Sequence, residues 1–353
     1  MTDTPGPRVS VTFLRESVRE YCRTTARSCP TTRWTQRLQG NCSQLSHTVA
    51  SCSSIGRGLN TSPSQRMQKY DGHPRSNSAL TYKALAGTIF AMTSEATTKQ
   101  ILQTAIEAAH LAGRVLVARY SMQHHVAVKG YRDIVTEADT AAESVILELI
   151  RQRFPQHSIL AEESGGDGIG NGYTWVVDPL DGTTNYAHHI PSFAVSIGVL
   201  EDGHPLAGVI YDPLCDHTFA AARGEGATLN GKPLHVSHLT EMDRAVVGLD
   251  WGHSDEVRER VLAYLLKIAH RCSTVRTFGS ATLALAYIAA GWLDVYLHLA
   301  LKPWDAAAGI LLVAEAGGRC TTPGGEPYQV DLPACLATNG SLHEQALSIL
   351  NGR

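Results

Sequence analysis

Trp175-Val176-Val177-Asp178-Pro179-Leu180-Asp181-Gly182-Thr183-Thr184-Asn185-Tyr186 is the stretch on which the reading of this chain turns. An apolar run ends in a carboxylate, and a second carboxylate, a glycine and two threonines follow closely. A run of Trp, Val and Val bounded by Pro and Gly predicts a short buried strand that enters a tight loop. The loop would hold Asp178 and Asp181 close together with the Leu180 carbonyl between them. Carboxylate and carbonyl oxygens are ligands for a hard divalent cation, Mg²⁺ first among candidates. Pro179 stiffens the loop, Gly182 lets it turn, and Thr183 and Thr184 add hydroxyls beside the cation. A shorter phrase of this kind would describe a capped turn, since Asp and Thr often bond their own backbone. Twelve consecutive matching residues favour a site.

Outward from this loop the chain reads as follows. Residues 1–91 are rich in Ser, Thr, Arg, Gln and Asn, hold 12 Lys+Arg against 4 Asp+Glu, and lack sustained apolar periodicity. They are expected to be disordered. A targeting segment, a basic tail, or upstream sequence translated in error with Met92 as the true start are the readings, the last being preferred. Residues 82–90 are expected to form a short helix or strand, and a core helix should start at a cap among Ser94, Thr97 and Thr98. The paired His124 and His125 read as an exposed loop, and Lys129 as a weak candidate for a lysine near a phosphate. Thr136 and Asp139 have the spacing of a capping box at the head of a helix reaching Phe154. Glu162 and Glu163 follow a short strand, so one should face the site and the other solvent or a neighbour. Residues 165–172 are glycine-rich and read as a mobile flap.

Beyond the central loop, alternating runs at 193–200, 205–211, 218–222 and 227–229 predict an antiparallel sheet. A second half opens near Val236, which divides the chain into 1–91, 92–235 and 236–353. Gly279-Ser280-Ala281-Thr282 starts a helix whose N–H groups could contact an anionic substrate, with a plain capped helix as the alternative. Asp305 falls in the first turn of another helix, where it could be only an N-cap. Ala306, Ala307, Ala308 and Gly309 are small enough to bring that helix close to a sheet.

The net charge of −3 conceals an acidic body of 18 Lys+Arg against 29 Asp+Glu after residue 91, which argues against general nucleic-acid binding. Eight cysteines without a C-x-x-C pair make zinc improbable, and without a secretory signal they fit a cytoplasmic, reducing setting. No uninterrupted apolar run reads as long enough to span a bilayer.

Two phrases carry a family resemblance. Residues 175–186 resemble the first signature of the inositol monophosphatase family, Mg²⁺-dependent and lithium-sensitive phosphatases, and Trp304-Asp305-Ala306-Ala307-Ala308-Gly309 through Gly318 resembles the second. The resemblance covers about residues 92–350. It implies an α/β (α+β) fold, a layered αβαβα sandwich of sugar-phosphatase type, commonly homodimeric. It implies a metal set of Glu162, Asp178, the Leu180 carbonyl, Asp181 and Asp305 holding two or three Mg²⁺, with Asp178 bridging. Glu162 is the family's choice, although Glu163 would serve nearly as well on sequence alone. Asp139 and Thr183 would position the attacking water, and the Gly182 and Thr183 N–H groups would hold the phosphate. His298 stands seven residues before Asp305, where inositol-preferring members carry an acid that holds ring hydroxyls. A histidine there can still bond hydroxyls but is expected to change charge near neutral pH. The activity implied is hydrolysis of a small phosphate monoester, of inositol-1-phosphate or sugar-phosphate type. Fructose-1,6-bisphosphate, histidinol phosphate and 3′-phosphonucleotides are the other substrates, and a regulatory relative that binds RNA or RNA polymerase is the alternative class.

Overall fold

The computed structural model describes residues 78–166 and 168–352, with side chains from residue 98 onward. The expectations for residues 1–77 lie outside the described residues. Five layers alternate helix and sheet, and the alternation of single strands shows why. In strand β5 (Tyr173–Asp181), Trp175 and Val177 join one apolar core and Val176 joins another. A strand buried on both faces reads as a continuous apolar run, as residues 175–177 do.

On one face of β5 lie helices α1 (Ser78–Tyr120) and α2 (Glu137–Arg153), joined by the hairpin β1 (Val126–Gly130) and β2 (Asp133–Thr136). Ile101, Ala105, Ala108, Ala112 and Leu116 of α1 are fully buried there, with Ile146 and Ile150 of α2. Helix α1 is continuous from Ser78, so Ser94, Thr97 and Thr98 lie within it and not at its start, and residues 82–90 belong to the same helix. Residues 98–120, although interrupted by Lys99, Glu107 and Arg114, are by length and composition also apolar enough to cross a membrane. In the fold their apolar stripe packs on the sheet.

The sheet has eight strands in the order β10-β9-β8-β7-β6-β5-β3-β4. They are β3 (Ser158–Ala161), β4 (Gly165–Gly166), β5, β6 (Ala194–Glu201), β7 (His204–Asp212), β8 (His217–Ala222), β9 (Gly226–Leu229) and β10 (Lys232–Pro233). Only β3 and β5 run parallel; every other pair is antiparallel. The glycine-rich segment read as a flap begins as an edge strand, with Gly165 and Gly166 paired to Ala161 and Leu160.

The middle layer is α5 (Ala281–Ala289) and α6 (Pro303–Glu315); α3 (Thr183–Ala187) and α4 (Asp255–Ile268) precede them in the chain. Helix α6 lies almost on the backbone of the sheet. A Cβ at Gly198 would fall 2.5 Å from Ala307 Cβ, and one at Gly208 would fall 2.9 Å from Ala308 Cα. The small residues at 306–309 are what this approach requires. A second sheet covers the other side, in the order β12-β11-β13-β15-β14, from β11 (Val246–Leu249), β12 (Thr274–Arg276), β13 (Val295–His298), β14 (Arg319–Thr321) and β15 (Cys335–Thr338). In β13 the parity rule recurs: Tyr296 faces the middle layer, while Val295 and Leu297 face a third core with α4 and α7 (His343–Asn351). The five layers are the αβαβα sandwich expected from the resemblance.

Candidate active site

Asp178 and Asp181 leave the end of β5, and Asp305 enters from the first turn of α6. One carboxylate oxygen from each lies within 4.8 Å of the others. Asp178 is 2% exposed, and its Oδ1 accepts the Leu180 N–H at 2.9 Å. Burial, then the charges of Glu162, Asp181 and Asp305, push its pKa well above the usual carboxylate range. Asp305 is raised in the same way, by burial and then by Asp181. It sits at the third position of α6, not at the N-cap, and its Oδ2 accepts the Lys302 N–H at 2.7 Å.

Asp181 is the anion at the head of α5. Its Oδ2 accepts from Ser280 Oγ at 2.6 Å and from both the N–H and the hydroxyl of Thr282 at 2.7 Å. These bonds oppose the burial that raises its pKa. The Gly279 N–H goes instead to Asp250 Oδ1 at 3.0 Å. This corrects the expectation that Gly279, Ser280 and Ala281 stand open to substrate. The donor field of the helix start is taken up by a side chain of the protein, because a carboxylate already lies where an incoming anion would bind.

Asp139 occupies the third position of α2 and completes the capping box, with its Oδ2 accepting the Thr136 N–H at 2.8 Å. Its other oxygen accepts the Thr183 hydroxyl at 2.9 Å. The cap and the site position are one residue. That hydroxyl also lies 3.1 Å from the Leu180 carbonyl, and a single proton cannot serve both acceptors fully. Asp139 is fully buried, and burial raises its pKa against the bonds from Thr136 and Thr183. Gly182 has φ 94°, and a Cβ there would fall 2.9 Å from the Ser192 carbonyl, so the turn into α3 requires glycine. The Gly182 and Thr183 N–H groups head that short helix, where no intrahelical acceptor exists for them.

Glu162 is within hydrogen-bonding reach of Asp178, and its Oε1 lies 3.0 Å from Lys129 Nζ. Glu163 also reaches Lys129. Glu162 is the acid beside Asp178, while Glu163 has Lys129 as its neighbour; both lie in the turn after β3. One ammonium is shared by two half-buried acids. Burial works against the Lys129 charge, but Glu163 and Glu162 hold its pKa up, and burial with the charge of Glu162 pushes Glu163 up to about 7. Lys129 therefore stands at the site, bonded to acids.

Two histidines depart from their reading. His298 is 8% exposed, and burial, with the nearby His253, lowers its pKa to about 4. It is neutral near pH 7 and does not switch there. Its Nδ1 accepts the Ala300 N–H at 3.0 Å, which leaves the proton on Nε2. His124 is not an exposed loop residue: its ring is 2% exposed, packs 4.7 Å from the Tyr186 ring, and meets Glu137 at 3.1 Å. Sequence reasoning missed Asp250, which binds Gly279 and accepts the Tyr296 hydroxyl at 2.9 Å, and whose pKa burial raises to about 6. It stands outside both family-like phrases, at the end of a strand, and only position in space marks it.

An all-oxygen set of crowded carboxylates, repelling one another in a buried place, fits a hard divalent cation. Comparison with known proteins agrees. A model of the inositol monophosphatase family matches residues 97–352. The chain is 40% identical to an inositol-1-monophosphatase of a Synechocystis strain, over 69% of this chain and 86% of that one. It is 42% identical to the Nus factor SuhB of Escherichia coli, over 62% of this chain and 83% of that one. The crystal structure of an extragenic suppressor protein suhB from Bartonella henselae superposes with a TM-score of 0.68 at 36% identity, covering 71% of this chain and 98% of that one.

Proposed function

Since this chain belongs to the inositol monophosphatase family and is a phosphoric monoester hydrolase, we propose that it uses Mg²⁺ to hydrolyse a small polyol or sugar phosphate with water as the nucleophile. The observation that carries this reading is the convergence of Asp178, Asp181 and Asp305 within 4.8 Å. Asp178, Asp181, Asp305 and Glu162 would hold the cations, with the Leu180 carbonyl beside them. Divalent cations, when bound, neutralise phosphoryl charge and make water a stronger acid.

The chain's own residues supply the rest. Thr183 donates to Asp139 Oδ1, so the lone pairs of its Oγ1 are free to accept from the attacking water. As the water attacks, its proton passes to Thr183 Oγ1, and the threonine proton passes to Asp139, whose raised pKa suits it to receive one. The Gly182 and Thr183 N–H groups hold the phosphoryl oxygens. Lys129 must loosen from Glu162 or remain beside it as a third positive charge near the phosphate. His298 offers a neutral N–H donor where an acid would offer an acceptor, which favours a substrate other than inositol phosphate. We extend the reading to a homodimer in a reducing, cytoplasmic setting, in keeping with free thiols at Cys215, Cys272, Cys320 and Cys335.

The test is phosphate release with and without Mg²⁺ over myo-inositol 1-phosphate, fructose 1,6-bisphosphate, histidinol phosphate and phosphoadenosine phosphate. Turnover of at least one that is abolished by chelation and restored by Mg²⁺ supports the reading; turnover indifferent to chelation removes it. The likeness to a Nus factor supports a second reading, a partner in transcription. Salt-sensitive RNA binding by the full chain, with no phosphate release from the panel, would favour it.

A further inference from the structure

Away from the carboxylate cluster, the turn between β7 and β8 brings three different donor types together. Asp212 ends β7 and His217 begins β8, and the two are directly opposed in the antiparallel register. Directly opposed side chains project from the same face of a sheet. Cys215 lies in the turn between them, and the left-handed Asp216, with φ 54°, reverses the chain beside it. As a result a carboxylate oxygen of Asp212, the Sγ of Cys215 and a ring nitrogen of His217 all lie within 4.8 Å of one another.

We propose that Asp212, Cys215 and His217 form a second metal site, separate from the phosphatase centre, that takes Zn²⁺ or a similar borderline-soft divalent cation. Carboxylate, thiolate and imidazole are the donors such ions prefer, and three protein ligands with one open position is a recurrent zinc arrangement. Bond lengths of 2.0–2.3 Å around a tetrahedral ion separate its donors by roughly 3.5 Å, so the trio needs only a small closure.

Each ligand is already prepared. Asp212 is 4% exposed, and its Oδ1 is fixed by the N–H groups of Leu214 and Cys215, both at 3.0 Å. Neither ring nitrogen of His217 has a hydrogen-bond partner among the described residues; the ring is held by Phe219 and Trp292 at 6.0 and 5.6 Å. Cys215 is exposed, and its Sγ lies within 4.8 Å of a carboxylate oxygen of Asp212. Binding forms a sulfur–metal bond and releases the thiol proton to solvent. His217 also lines a cavity of about 420 Å³ with Lys232, His235 and Trp292, and the exposed Cys215 leaves the trio open to solvent. This revises the expectation that the cysteine spacing makes zinc improbable: the motif is Asp-x-x-Cys-x-His, with the third ligand supplied by strand pairing.

The full-length protein in excess Mg²⁺ is equilibrated with Zn²⁺, dialysed and assayed for metal, beside Cys215→Ser and His217→Ala. The wild type should retain one more Zn²⁺ per chain than either variant. With Co²⁺ it should show a thiolate-to-cobalt absorption that both variants lose. Phosphate release should be the same in all three, so the result does not depend on the phosphatase reading. In the wild type, Zn²⁺ should slow alkylation of Cys215, located by mass spectrometry, by tenfold or more, a readout that needs no variant to fold. Equal zinc content in the three proteins, a cobalt spectrum that survives Cys215→Ser, or alkylation of Cys215 at an unchanged rate overturns the site.

Discussion

Thr183 Oγ1 stands 2.9 Å from Asp139 Oδ1, a bond that joins residues 44 apart in the chain. Asp139 cannot shift to accommodate a change in Thr183, because its other oxygen is held by both the N–H and the hydroxyl of Thr136. The pair therefore couples the head of α2 to the loop after β5. Thr183→Ala should lower kcat by about 10²–10⁴ with a smaller change in KM, the range for loss of a positioned proton acceptor. Thr183→Ser should keep most of the rate. Steady-state phosphate release measures both, and equal losses in the two variants would show that the hydroxyl does not act in the reaction.

Asp178 is repelled by Glu162, Asp181 and Asp305 in a nearly closed space. If Asp178 holds the cation as proposed, Asp178→Asn should lower phosphate release at saturating Mg²⁺ by about 10² or more. The metal-free variant should unfold no earlier than the metal-free wild type, because the substitution removes repulsion while the amide oxygen can still accept from Leu180. Thermal melting in a chelator, run beside the activity assay, separates a site role from a packing role.

The approach of α6 to the first sheet should tolerate no added methyl group. At Gly208 a Cβ would meet the Ala308 Cα at 2.9 Å and its carbonyl oxygen at 3.0 Å, both backbone atoms. Gly208→Ala should cost about 1–3 kcal/mol, the usual range for overpacking. Asp305 is carried by the same helix, so the Mg²⁺ concentration for half-maximal activity should rise as well. Denaturant midpoints and Mg²⁺ titrations check the two effects, and an unchanged Mg²⁺ dependence would uncouple helix position from the site.

His343 is fully buried, with Thr321 and Thr338 bonded to its two ring nitrogens at 3.0 and 2.9 Å. Burial, helped by Arg319, lowers its pKa from an ordinary 6.5 to about 4. Between those values the unfolded chain binds the extra proton and the folded one does not. Stability is therefore complete above pH 6.5 and is lost as pH falls toward 4, by up to about 3 kcal/mol for this residue. His298, lowered to about 4 as well, acts in the same direction. The buried acids with raised pKa values, Glu163 near 7 and Asp250 near 6 among them, act in the opposite direction, so the share of His343 is read as a difference. Denaturant unfolding from pH 7 to pH 4 should show the wild type losing stability relative to His343→Gln; an identical pH dependence in the two would place the proton uptake elsewhere.

The legible part of the site was whatever lies within one local phrase. Asp178, Asp181, Gly182 and Thr183 could be read together because a strand end and a tight loop keep neighbours together. The capping box of Thr136 and Asp139 was legible for the same reason. That Glu162 and Glu163 share Lys129 was not legible, because parity along a strand does not extend into the turn that holds them. His298 was misread because its ordinary pKa was assumed, and the walls that desolvate it come from distant segments. Asp250 was missed, since nothing within its own neighbourhood announces Gly279 or Tyr296 as partners.

By itself the sequence determined the family, through two signature-like phrases, and with the family the layered architecture that the resemblance implies. The buried strands and the close approach of α6 follow from the two-residue period of strands and from small side chains where a helix meets a sheet. The tertiary structure alone decided that the head of α5 holds Asp181, that one lysine serves two glutamates, and that His298 stays uncharged. The physical reason is that charge state and hydrogen-bond partner are set by what surrounds a group in space. A local window of sequence shows the group and leaves out those surroundings.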